Sequence, residues 1–287
     1  MLKKAYLEIT NQCNLACTFC HGTKRPTRYL SEEEFIAAAK ALRPHTDYLY
    51  FHLMGEPLLH PLLEKFLQIS HELGFKVIIT TNGTLLEKRR EILLNAPALH
   101  KVSISLHAYE ANAMDMTVDE YLSSCFKFCK SASERGKITV MRLWNIGGEE
   151  GLNGEIIKKM KTFFCEDANP WETCRNGYKL CDRVFLEWGD KFEWPDENAE
   201  FCSSRHTCYG LRDQIGVLSD GRVVPCCLDA EGVITLGNIF EDTVEDILSS
   251  DRATALRRSF ETRKITEPLC QRCGFAVTRL KQVETTD

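Results

Sequence analysis

The sequence lacks the features that mark several large protein classes. Among its 287 residues no apolar run approaches the roughly 20 that a membrane span requires. Positive charge is in deficit: 36 Lys and Arg stand against 41 Asp and Glu, a formal net charge of -5. The basic runs, Lys88-Arg89-Arg90 and Arg257-Arg258, are short and scattered and read as solvated helix faces. A nucleic-acid partner is therefore not expected. The opening residues, Met1-Leu2-Lys3-Lys4, run straight into a strand-like segment with no signal-peptide core, so a cytoplasmic protein is expected. With 44% hydrophobic and 27% charged residues the composition is that of an ordinary globular chain. Its length suits one large domain, or one domain with an appendage. Cysteine departs from this pattern, with 14 in the chain. Disulfides rarely persist in a reducing compartment, so clustered cysteines there point to metal ligands or catalytic thiols.

The cysteines form two groups and a remainder. Cys13, Cys17 and Cys20 make a tight C-x3-C-x2-C loop, and Cys208, Cys226, Cys227, Cys270 and Cys273 gather in the last third. Cys125, Cys129, Cys165, Cys174, Cys181 and Cys202 follow no close metal-binding spacing. Between the groups, strand-like and helical segments alternate. Ala5–Thr10, Asp47–Leu53, Phe75–Thr80, Lys101–Leu106, Lys137–Leu143 and Arg183–Trp188 read as strands. A helix begins at Ser31, where Glu34 completes a capping box. Further helices are expected over Pro61–Leu73, Leu85–Leu94, Tyr121–Glu134 and Gly154–Phe164. This order implies βαβ units and a parallel sheet, with ligands at the carboxyl ends of its strands. The cysteine loop, Gly55-Glu56-Pro57 and Asn82-Gly83-Thr84 all follow strand ends and should share one face. From Lys191 the character changes: Trp194-Pro195-Asp196 reads as a linker and Ile215–Leu218 with Arg222–Pro225 as a hairpin. Short helices follow from Thr243 and around Arg252–Phe260, in a loop-rich segment of the kind a metal stabilises.

Three thiolates cannot close a four-coordinate zinc site alone. His21 could supply a fourth ligand, and the alternative is an iron–sulfur cluster with one iron left open. Cys13-Asn14-Leu15-Ala16-Cys17-Thr18-Phe19-Cys20 resembles the signature of the radical S-adenosylmethionine (radical SAM) enzymes, including the aromatic residue before the third cysteine. The resemblance covers roughly residues 5–190 and implies an α/β fold, a partial (β/α)6 TIM-like barrel. It implies that the three cysteines hold a 4Fe–4S cluster whose open iron takes the amino and carboxylate groups of SAM. One electron then cleaves SAM, and the resulting 5′-deoxyadenosyl radical takes a hydrogen atom from substrate. Gly55-Glu56-Pro57 is similar to the family motif that contacts the SAM amino group, with Met54 where the family has a further glycine. By the same resemblance Asn82, Ser105 and Arg142 are candidate SAM contacts. A flavodoxin or ferredoxin would supply the electron.

The second group, from spacing alone, suits a zinc ribbon or a cluster. Beside a radical SAM barrel it resembles the family's C-terminal Twitch or SPASM extension, which implies a small α+β iron–sulfur domain over residues 191–287 beyond a barrel of residues 1–190. No cysteine follows Cys273, so one auxiliary 4Fe–4S cluster is expected, held by Cys208, Cys226, Cys270 and Cys273 and suited to electron transfer. Cys226 and Cys227 compete for one position, and the spacing from Gly221 favours Cys226. Cys165, Cys174 and Cys181 could join Cys202 around another cluster, and Asp182, Arg183, Glu187 and the Trp188–Trp194 stretch could face the barrel mouth. The leading expectation is an oxygen-sensitive radical SAM oxidoreductase. Because few residues precede the first strand, the expectation tilts toward a small molecule or a peptide that a separate protein delivers, with small-molecule dehydrogenation favoured. A peptide- or protein-modifying maturase (formylglycine, crosslink or epimerisation) is the alternative, and a non-catalytic electron carrier or zinc-stabilised binding module a third.

Overall fold

The computed structural model describes residues 1–164, 171–174 and 176–277. In chain order its elements are β1 (Lys4–Leu7), α1 (Glu32–Leu42), β2 (Tyr48–Tyr50), α2 (Leu63–Glu72), β3 (Lys76–Thr81), α3 (Leu86–Asn95) and β4 (Leu99–Ser105). Next come α4 (Val118–Glu134), β5 (Ile138–Ile146), α5 (Asn153–Phe164), β6 (Glu172–Cys174), β7 (Gly177–Cys181) and β8 (Val184–Asp190). The chain continues with β9 (Gln214–Val217), β10 (Arg222–Val224), β11 (Gly237–Asn238), α6 (Val244–Ser249), α7 (Asp251–Glu261) and α8 (Pro268–Gln271). None of these helices is long and apolar enough to cross a membrane.

All the strands join one sheet, ordered β11-β10-β9-β1-β2-β3-β4-β5-β8-β7-β6. The six strands β1, β2, β3, β4, β5 and β8 run parallel, which is the expected partial barrel. Two arrangements were not expected. The first strand of the predicted C-terminal hairpin, β9, pairs in parallel with β1, Ala5 opposite Ile215, so the barrel sheet continues into the last third of the chain. At the other edge, β6 and β7 form an antiparallel meander on β8. These strands are three and five residues long and only Leu180 in them is buried, so their apolar alternation is too weak to read.

Local signals explain the helix starts. Ser31 Oγ accepts from the Glu34 amide (3.1 Å) while the Glu34 carboxylate accepts from the Ser31 amide (2.9 Å). Thr117 and Glu120 repeat the device, which starts α4 at Val118, ahead of the expected Tyr121. Strand alternation then divides the sheet into two faces. Val77, Ile79, Val102, Ile104, Met141 and Leu143 turn outward into one core shared with Phe66, Leu93 and Phe128 of the helices. On the opposite, concave face Lys101, Ser105, Arg142, Trp144, Phe185 and Glu187 are only partly covered. The helices seal one face of the sheet and leave the other open.

Candidate functional site

The first thiol group sits in a closed loop between β1 and α1. Asn11 fastens its two ends: Asn11 Nδ2 donates to the Pro26 carbonyl (3.0 Å), and Oδ1 accepts from the Arg28 amide (2.8 Å). Within the loop the Cys20 amide donates to the Cys17 carbonyl (3.0 Å), a turn that brings those side chains together. Cys13 and Cys17 are half-buried and Cys20 is exposed. Burial pushes all three thiols up, Cys17 to about 11, and the Cys20 and Cys13 thiols add to the rise at Cys17. Three thiolates at this spot therefore need a strong cationic counterpart, which the irons of a cluster supply. The donor set fits an iron–sulfur cluster.

Two amides flank these sulfurs. Asn112 Nδ2 donates to Cys17 Sγ (3.1 Å) and its Oδ1 accepts from the Ala16 amide (3.1 Å). Asn82 Nδ2 donates to Asn14 Oδ1 (3.0 Å) and lies 4.0 Å from Cys13 Sγ. Asn112 was not anticipated, because it lies 95 residues from Cys17 in no motif.

The loop after β2 is pressed onto the cysteine loop. The Glu56 amide donates to the Gln12 carbonyl (2.8 Å). Gly55 has φ +76°, and a Cβ there would lie 2.6 Å from the Thr10 carbonyl oxygen and 2.8 Å from that of Gln12. Only glycine fits the approach. Pro57 opens a single 3-10 turn, and the buried Glu56 carboxylate caps it by accepting from the Leu58 amide (3.0 Å). Its other oxygen accepts from the Asn82 amide (2.8 Å), tying the loops after β2 and β3 together. Burial raises the Glu56 carboxyl to about 7. The Thr81 side chain is a third partner of the carboxylate, which leaves one of its four lone-pair sites for a further donor.

Ser105 and Arg142 are register partners on adjacent strands, and Glu187 is the partner of Arg142 on the next. Arg142 Nε lies 3.2 Å from Glu187 Oε2, and its guanidinium lies over the Trp144 ring at 4.5 Å. Arg142 thus already has a carboxylate partner on the concave face. Glu187 faces that interior as expected, whereas Asp182 and Arg183 do not. They are exposed just before β8, at the end of the sheet opposite the cysteine loop, because the turn from β7 places them there. Trp194 reaches the loop instead, its Nε1 donating to the Phe19 carbonyl (3.0 Å).

The second group converges from three segments: Cys208 ahead of β9, Cys226 after β10, and Cys270 and Cys273 in and after α8. Burial raises the Cys226 thiol far above its usual range, and the thiols of Cys208, Cys227, Cys270 and Cys273 raise it further. Cys227 faces the other way: it hydrogen-bonds Tyr6, and Lys4 and Arg142 on the concave face lower it against the rise from burial. The two cysteines lie in the bend and turn that follow β10 and meet different surroundings, so only Cys226 joins the group. Among the remaining thiols, Cys202 stands by Cys273 and Cys181 by Cys129, on separate parts of the molecule. Cys165 lies outside the described residues. Among the described residues no three His, Cys, Asp or Glu side chains converge on a point suited to one metal ion.

A parallel partial barrel with a three-thiol loop after its first strand and a second thiol group at the sheet edge beside that strand defines a class of iron–sulfur enzyme. Residues 7–153 match the radical SAM superfamily, and residues 208–274 match the SPASM iron–sulfur cluster-binding domain. The chain belongs to the radical SAM superfamily and carries a C-terminal SPASM region. Its cofactors are SAM, the radical SAM 4Fe–4S cluster and auxiliary iron–sulfur chemistry in the SPASM region. A probable GTP 3′,8-cyclase of Methanocella arvoryzae is 24% identical, over 91% of this chain and 94% of its own length. BtrN, solved with AdoMet and 2-DOIA, superposes with a TM-score of 0.61 at 19% identity, covering 95% of this chain and 93% of BtrN. The structure of anSMEcpe with AdoMet and the Cp18Cys peptide gives 0.62 at 17%, covering 96% and 89%.

Proposed function

We propose that this chain is a radical SAM oxidoreductase that dehydrogenates a small molecule. In this reading residues 1–190 form the reaction barrel and 191–287 the auxiliary region. Cys13, Cys17 and Cys20 hold the SAM-binding cluster, and Cys208, Cys226, Cys270 and Cys273 hold one auxiliary 4Fe–4S cluster. When bound, these groups supply a one-electron cleavage of SAM that yields a hydrogen-abstracting radical, and an acceptor for the electron the substrate gives up. The chain's own residues position the parts. Glu56 offers its remaining lone pair to the SAM amino group and locks the loops after β2 and β3 in one arrangement. Asn82 and Asn112 orient the sulfurs of Cys13 and Cys17.

The observation that carries the reading is the pairing of two thiol groups with different character, three thiols beside Gly55-Glu56-Pro57 and four without such a neighbour. Four protein thiolates saturate a cluster, which suits an electron acceptor better than a substrate ligand. The preference for a small molecule draws on the near end-to-end match to BtrN. The match to anSMEcpe keeps a peptide substrate as the second reading.

Anaerobic reconstitution should give about eight irons per chain. SAM should perturb the spectrum of one cluster only, and dithionite with SAM should release 5′-deoxyadenosine. Cys17→Ala should abolish that cleavage, while Cys270→Ala should keep uncoupled cleavage and lose about half the iron. Stoichiometric zinc without iron, or fully loaded protein that never cleaves SAM, would sink the proposal.

A further inference from the structure

The concave face of the barrel carries a polar set that the thiols and the Gly55-Glu56-Pro57 loop do not use. Across β2, β3 and β4, Tyr50 pairs with Ile78 and Ile78 with Lys101. One layer nearer the carboxyl ends, Thr80 pairs with Ser103. His52, two residues beyond Tyr50, joins this second layer. His52 Nδ1, Thr80 Oγ1, Ser103 Oγ and Trp144 Nε1 are all buried and meet no hydrogen-bond partner among the described residues. Buried polar atoms are nearly always satisfied, and those that are not call for an explanation. Four around one concavity are explained by a ligand that completes them.

The charge on this face indicates which ligand. Lys4, Lys101 and Arg142 all act on His52, whose imidazole burial and these cations together hold down to about 3, so it stays neutral. Lys4 lies over the rings of Tyr6 and Tyr50, 5.1 Å from each centroid. Of the described residues, the carboxylate that acts on both Lys101 and Arg142 is Glu187, 3.2 Å from Arg142. Glu8, at the end of β1, is neutralised by Arg25 at 2.8 Å. Arg142 and Lys4 depress Lys101 as well, beyond what its burial does. An excess of positive charge on a half-desolvated face attracts an anion.

We propose that this interior is the substrate site and takes a small molecule bearing a phosphate or carboxylate group. Lys101 and Arg142 hold the anion, and His52, Thr80, Ser103 and Trp144 meet its neutral hydroxyl or amide groups. The inference deepens the proposed function and rests on it for the reaction, but the binding it describes needs neither SAM nor an electron.

Calorimetric titration of the anaerobically reconstituted full chain, without SAM, tests it. Pyrophosphate, citrate, neutral myo-inositol and cationic glucosamine serve as probes. Pyrophosphate or citrate should bind once per chain and at least tenfold tighter than either other probe, and the tighter of the two identifies the anion. Lys101→Met should weaken that binding tenfold or more, Lys101→Arg should restore most of it, and Glu187→Gln should tighten it severalfold. Equal or tighter binding of glucosamine, or anion binding indifferent to Lys101→Met, overturns the inference. Failure to cleave SAM in the separate assay would overturn the function while leaving this binding result intact.

Discussion

Single side chains decide which sulfurs belong to which task. Cys226 and Cys227 are neighbours in sequence, and spacing favours Cys226 only by its distance from Gly221. The fold separates them physically. Cys226 lies among Cys208, Cys270 and Cys273, while Cys227 lies against Tyr6 on the concave face. Tyr6 in turn packs on Tyr50 at 4.9 Å and on His52 at 5.4 Å, so Cys227 touches the polar interior. Cys226→Ser should therefore lose about half the iron of the reconstituted protein, and Cys227→Ser should keep nearly all of it. Iron analysis with electron paramagnetic resonance of the reduced protein checks this. Equal iron loss in the two variants would mean that both sulfurs can serve as ligands. The motif cysteines were legible from sequence because cluster ligation imposes a short, fixed spacing. Asn112 and Tyr6 were not, because a supporting group can come from any distance along the chain.

At the scale of elements, the site is made by loops that follow parallel strands and interlock. The expectation that the cysteine loop, Gly55-Glu56-Pro57 and Asn82 share one face followed from strand order, and hydrogen bonds join all three. Sequence did not disclose that Gly55 is the contact point. Its left-handed φ and the 2.6 Å gap to the Thr10 oxygen leave a side chain no room. The atoms it would meet are backbone, which cannot rotate aside. Gly55→Ala should destabilise the apoprotein by about 2 kcal/mol or more, from left-handed strain with overpacking. It should also weaken SAM binding, since the displaced loop carries Glu56. Urea melts and SAM titration measure the two effects. A variant as stable as the parent, with unchanged SAM affinity, would show that the loops are not interlocked as described.

At the scale of the whole molecule, the two thiol groups lie in regions that sequence composition separates near residue 190 but that one sheet connects. The Asp220-Gly221 turn marked Ile215–Leu218 as one arm of a hairpin, yet a local signal cannot name a strand's partner some 210 residues away, and β9 lies on β1. Beside that junction is the fully buried carboxylate of Glu8. It pairs with Arg25 of the cysteine loop (2.8 Å), accepts from the Met54 amide after β2 (3.1 Å), and accepts from the Ser219 amide (3.1 Å) and hydroxyl (2.9 Å) in the hairpin. One side chain therefore fastens the cysteine loop, the barrel and the auxiliary region together. Removing Arg25 would leave Glu8 buried without its cation, a loss of about 3–5 kcal/mol for such pairs. Because the tie spans both regions, the loss should fall on the molecule as a unit. We expect tryptophan fluorescence and far-ultraviolet circular dichroism to report one coincident urea transition in the apoprotein. Arg25→Met should move that transition without splitting it. Combining it with Glu8→Gln should cost less than the sum of the two single changes, since the pair then disappears together. Two separated transitions in the parent protein would show instead that the regions fold independently and that Glu8 only decorates their boundary.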